Sequence, residues 1–246
     1  MKPFDPSSLW RASDFREARN EGRLDLADAS RHTVLPTTLL AELRRLESEG
    51  SEGDVLEVLA ACLCNREAAL LYLEHTEYVW PVTVFPREGL YHSPRAVQSI
   101  STRLAFSGLR VLSVEPPGVR PPGDAMHERV ARPEKYHRLE ALVWGLALHG
   151  PRPTLLRQIG GHAAYRVAAA HDPNVLPIHG ATRSVVLRLQ REAAPLAEIS
   201  RWPGMTEERA SRTLNGLYLC GALMISRTHP AATTPLSWLD LLARRR

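Results

Sequence analysis

Lysine is almost missing from this chain. Lys2 and Lys135 are the only lysines among 31 basic residues, and every other basic residue is arginine. With abundant alanine, leucine and proline, that bias is what a GC-rich bacterial genome produces by codon usage. The pI near 9.2 therefore argues only weakly for a nucleic-acid partner. Cysteine is scarce too. Cys62, Cys64 and Cys220 leave one over, no disulfide framework is suggested, and a reducing cytoplasm is the expected location. Long apolar runs are absent: residues 141–148 form the longest, against the roughly 20 residues that a membrane helix needs. No membrane insertion is expected, and residues 1–10 lack the apolar segment of a secretory signal.

Chemical motifs are missing as well. Cys62-x-Cys64 has no second ligand pair, and residues two apart on a helix point about 200° from each other. No metal site is expected. There is no glycine-rich phosphate loop and no G-x-S-x-G turn, so His171, Asp172 and His179 near Ser184 lack the support a hydrolase requires. No catalytic residue and no cofactor are assigned. The chain is read as a non-enzyme.

What is present is an ordinary globular composition, 44% hydrophobic and 24% charged over 246 residues, enough for one large domain or two modest ones. The first 75 residues read as helical. Ser13 can cap a helix ending at Gly22, and Thr37 or Thr38 can cap one that stops at Gly50. A third helix begins at Asp54, and a fourth is expected after Asn65. The period then changes. Residues 78–85 ("YVWPVTVF") and 90–93 read as a hairpin, with Pro81 at an edge or bulge. Residues 95–108 read as a helix and 109–115 as a strand.

Residues 116–133 hold five prolines and two glycines, which read as an interdomain linker or a long ordered loop. The expected organisation is α+β and mostly helical. A helical plus small mixed-sheet domain spans 1–115, and a helical domain spans 134–246. After the proline-rich segment, 135–150 reads as one helix, 153–161 as a short helix and 163–169 as a strand.

From residue 182 the pattern is a winged-helix outline, about 182–229: helix, short helix, Pro203-Gly204 turn, long helix and a strand leading to a wing. Thr206 is the expected cap of the long helix. Ala210, Leu214, Leu217 and Tyr218 form its inner stripe. Such a helix reads DNA when its outer face enters the major groove. Here that face carries Glu207, Glu208, Ser211, Arg212 and Asn215. Arg212 and Asn215 have the chemistry to contact base edges. The two glutamates complement the helix dipole but repel phosphate. From 182 to 229 there are seven arginines against four glutamates, most of them on the first two helices. A partner-docking module is favoured over a DNA reader.

The stretch "YRVAAAHDPNVLPIHGATRSVVLRLQREAAPLAEISRWPGMTEERASRTLNGLYLCGALMIS" resembles the C-terminal helical region of PATAN-type (PatA N-terminal) domains. These accompany receiver domains in bacterial signalling proteins. The segment "VWPVTVFPREGLYHSPRAV" is similar to the family's strand-turn-strand. The resemblance implies a non-enzymatic signalling or scaffolding module that works by protein contacts.

The tail, 234–246, sets Leu236, Leu239, Leu242 and Trp238 on one face before three arginines. It reads as a docked amphipathic helix or as a partner-binding segment. The expected function is a cytoplasmic bacterial regulatory or adaptor protein with another protein as partner, and a homo-oligomer is compatible with it. The alternative is a winged-helix DNA-binding transcriptional regulator. The partner- or DNA-contacting residues are Glu208, Arg212, Asn215, Arg227, Trp238, Arg244, Arg245 and Arg246.

Overall fold

A computed structural model describes residues 9–21, 34–94, 104–172 and 178–229. The class is α+β with antiparallel sheets. The chain divides into two units, 1–152 and 153–246.

Unit 1 is built on one antiparallel sheet. Its strands are β1 (Trp10–Arg11), β2 (Ala69–His75), β3 (Tyr78–Phe85), β4 (Leu90–His92), β5 (Arg110–Glu115) and β6 (Tyr136–Arg138). The order is β5-β2-β3-β4-β6, and β1 pairs with the start of β3. Its helices are α1 (Ala12–Asn20), α2 (Thr37–Ser48), α3 (Val55–Asn65), α4 (Leu104–Ser107) and α5 (Leu139–His149). On one face, Ala12 and Phe15 of α1 pack on Leu70, Tyr72 and Val79, with the Phe15 and Tyr72 rings 4.8 Å apart. Leu71 and Leu73 point to the opposite face by the strand alternation and are buried too. Elsewhere α3 packs against α2, α5 and β5. Asp54 caps α3 by accepting from the N–H groups of Leu56 and Glu57, which satisfies two donors that the first turn leaves open.

Several expectations are corrected. The helix expected after Asn65 is the strand β2, and Asn65 instead closes α3. The α1 helix begins at Ala12, so Ser13 lies inside it rather than at its cap. Pro81 lies in the interior of β3, opposite Tyr72. On the other side it falls between the β1 partners, Tyr78 and Val79, and the β4 partners, Thr83 to Phe85. A residue without an N–H fits that gap. Residues 136–138 form β6, paired with β4, and α5 starts only at Leu139.

The proline-rich segment is not a linker between units. It is an ordered loop of unit 1, and the division falls after Arg152. Within the loop Arg120 N donates to Arg129 O at 3.0 Å. Tyr136 Oη donates to Arg120 O and accepts from Ala131 N. Backbone groups that no helix or sheet satisfies are thus held by a strand side chain.

Unit 2 contains β7 (Ala164–Val167), α6 (Gly180–Leu189), β8 (Ala194–Pro195), α7 (Leu196–Ile199), α8 (Glu207–Leu219) and β9 (Leu223–Ser226). The expected short helix before β7 is a single 3-10 turn, Arg157–Ile159. The sheet order is β8-β7-β9, all antiparallel. The expected outline ran from 182 and closed its sheet downstream through a wing. The observed middle strand comes instead from upstream of α6, so the three-helix core of α6, α7 and α8 is completed by residues outside 182–229. Among the described residues, no helix is long and apolar enough to cross a membrane.

Candidate functional site

The α6–α7–α8 core is fixed by a few residues of specific chemistry. Val185, Val186 and Leu189 of α6, Ile199 of α7, and Ala210, Leu214 and Leu217 of α8 are buried together with Trp202. Tyr218 is half-buried rather than part of the sealed stripe, and Cys220 is half-buried as well. The Arg188 guanidinium lies 4.1 Å from the centre of the Trp202 ring, a cation–π contact that closes the α6–α7 side. At the head of α8, Thr206 Oγ1 accepts from Arg209 N, as expected of the cap. Arg209 Nη1 donates back to Gly204 O at 2.6 Å.

Gly204 is required by geometry. Its φ is +76°, and a Cβ there would stand 2.8 Å from Cβ of Ala181 on α6. Both the backbone and the space exclude a side chain. Gly204→Ala is expected to cost about 1–3 kcal/mol of unit 2 stability in urea denaturation. A variant as stable as the parent would show that the turn repacks without strain.

The outer stripe of α8 is where a DNA reader would present its contacts. Glu208, Arg212 and Asn215 fall on it at helical spacing, and the structure treats the three differently. Glu208 is exposed, and Arg212, whose side chain keeps only 15% of its exposure, donates from Nε to it at 2.8 Å. Asn215 is fully buried. Its Oδ1 accepts from Leu156 N and its Nδ2 donates to Thr154 O, both at 2.9 Å. The expectation that Asn215 contacts a partner or a base is therefore overturned. Its amide is consumed by the segment that precedes β7, and the contact surface reduces to the first turn.

That segment forms a strap over the helix. Leu156 and Ile159 are wholly buried beneath it. Tyr165 Oη donates to Ile159 O at 2.6 Å. Burial holds the Tyr165 phenol above its ordinary range, with the Arg227 charge opposing, so it stays a donor at neutral pH. Arg227, expected to face a partner, spends its guanidinium on Gly160 O at 3.1 Å and Gln158 O at 3.4 Å. It clamps the strap and remains exposed at the surface. Asn215, Tyr165 and Arg227 thus fasten the strap from three elements. Sequence reasoning missed this because the strap lies about sixty positions from Asn215 in the chain, and no local spacing links them. Trp238, Arg244, Arg245 and Arg246 lie outside the described residues.

Among the described residues no group of three His, Cys, Asp or Glu side chains could hold a metal ion. Cys62 is buried in α3, and desolvation pushes its thiol up to about 12. Compared with family models, with curated proteins and with solved structures, the chain gives no match.

Proposed function

We propose that the protein is a non-enzymatic regulatory adaptor that acts through protein–protein contacts. The observation that carries this reading is the pairing of Asn215 with the strap. An amide sealed from solvent, with both polar ends turned to backbone, cannot reach a base edge. Of the same stripe, Arg212 is tied to Glu208, and Glu208 itself repels a phosphate backbone. What α8 leaves to solvent is a first turn of mixed charge, Glu207, Glu208 and Arg209. That pattern suits a polar protein surface better than a polyanion. The resemblance to PATAN-type domains points the same way.

The test is charge reversal at Glu208. Glu208 itself is exposed, so Glu208→Arg is expected to cost only the i,i+4 pair with the largely buried Arg212, about 1 kcal/mol, and to lower the melting temperature slightly. It should also abolish recovery of the partner that the parent protein retains from the native cell extract, read by mass spectrometry. Undiminished recovery would overturn the proposal for this surface, and the same assay on a chain lacking 234–246 tests the tail.

One observation favours the second reading, a DNA-binding regulator: residues 153–246 hold twelve arginines against six acids. That reading requires duplex binding that weakens steeply with salt, in proportion to the phosphates neutralised. The adaptor reading requires no retardation of genomic fragments at low salt.

A further inference from the structure

Arg120, in the proline-rich loop of unit 1, is positioned with more care than an exposed arginine needs. Its N–H donates to Arg129 O, its carbonyl accepts from Tyr136 Oη, and it forms an isolated parallel bridge with Val130. The backbone is thus held from both sides. Its Nε is buried, yet it has no hydrogen-bond partner among the described residues. A sealed guanidinium N–H without an acceptor is costly, on the order of 1–3 kcal/mol, and such a group calls for an explanation.

The side chain lines an open cleft of about 220 Å³ in which Arg66 and Arg87 also stand. The walls are Phe85, Pro86, Pro117 and Pro121. Proline walls are set in advance, so ordering them costs little when a ligand enters. Of the three acids in the cleft only Glu67 is ion-paired among the described residues, while Asp124 and Glu88 keep their charges. Glu67 pairs with Arg87 Nη2 at 3.2 Å, and Asp124 Oδ1 accepts from Met126 N. Arg87 Nε is turned to Arg66 O. Arg120 and Arg66 remain as the guanidiniums with no acidic partner among the described residues, and they share the cleft with the carboxylates of Asp124 and the exposed Glu88.

We infer that this cleft is a binding site for a small oxyanion, a phosphate or carboxylate group received by the guanidinium fork of Arg120 with Arg66 beside it. The planar fork matches two oxygens of either group, which a lysine does not. The ligand would meet the Nη groups of the fork, since Nε itself is sealed from the solvent that fills the cleft.

The experiment is calorimetric titration of the full chain at low ionic strength, with inorganic phosphate and separately with malonate. Saturable binding of one or both at millimolar concentration is expected, and the preferred ion tells whether the natural group is phosphate or carboxylate. Arg120→Gln should weaken it about tenfold or more. Arg120→Lys, which keeps the charge and loses the fork, should weaken it too. Arg44→Gln, at an exposed position on α2 away from the cleft, should leave it unchanged. Should Arg120→Gln fail to fold, the lysine variant and Arg66→Gln decide the matter by the same loss. Absence of binding by both ions overturns the site. So does equal affinity in a folded Arg120 variant or an equal loss in Arg44→Gln.

Discussion

Arg152→Ala is expected to destabilise unit 1 by about 3–5 kcal/mol, the cost of breaking a buried ion pair from one side. Glu57, in the first turn of α3, is completely sealed from solvent. Arg152 Nη2 lies 3.0 Å from its Oε1, while Nη1 reaches Asp54 Oδ2 at 2.7 Å. The guanidinium keeps only 15% of its exposure, so water screens the arrangement little. Asp54 is also the cap of α3, which ties the ion network to the helix start. With the arginine gone, the buried Glu57 carboxylate loses the guanidinium that pairs it. Against a total stability of about 5–15 kcal/mol for a domain, that loss is large.

Two companion variants separate pairing from packing. Arg45→Ala removes an exposed helix pair with Glu49 and should cost under about 1 kcal/mol. Arg152→Met combined with Glu57→Leu removes both charges at similar volume and should recover most of the loss. Urea denaturation at constant m-value is the measurement. A single Arg152→Ala variant within about 1 kcal/mol of the parent would contradict the burial argument.

The elements legible in the sequence were those whose order is local. The α3 helix announced itself by Asp54 and an apolar stripe, the β3–β4 hairpin by β-branched and aromatic residues with a turn between them, and α8 by Thr206 and the spacing of Ala210, Leu214 and Leu217. The failure at β2 has a physical cause. "ALLYLEH" is rich in helix-favouring Ala, Leu and Glu, and six of its seven positions are buried, so no two-residue alternation is left to see. Only the neighbours β3 and β5 make it a strand. The proline-rich loop misled for the converse reason, since its composition excludes regular structure without saying whether Tyr136 will hold it. On the candidate site, the charge pattern of α8 was readable and the fate of Asn215 was not. A side chain's partner sixty positions away leaves no mark on helical spacing.

Asn215→Ala is expected to cost unit 2 about 2–4 kcal/mol, because two strap groups lose the hydrogen bonds that Asn215 gives them at once. The N–H of Leu156 is enclosed with a fully buried side chain and cannot turn to water in place. The carbonyl of Thr154 is better able to do so, since Thr154 is exposed, and that sets the loss below the maximum for two sealed groups. Amide exchange should report the change locally. The Leu156 N–H should exchange faster by more than the global loss accounts for, while the amides of β3 in unit 1 keep their rates. Asn215→Leu retains volume and removes the same bonds, so equal losses in the two variants would assign the effect to the hydrogen bonds, whereas recovery in the leucine variant would assign it to packing. The variant also bears on function. Opening the strap exposes the stripe of Arg212 on α8, the surface a DNA reader would use, yet Glu207 and Glu208 stay at its entrance. If the adaptor reading is right, Asn215→Ala gains no salt-sensitive affinity for duplex DNA. A variant that acquires such binding would mean that the strap masks a working reading helix, and α8 would then have to be assigned to DNA with the strap as its cover.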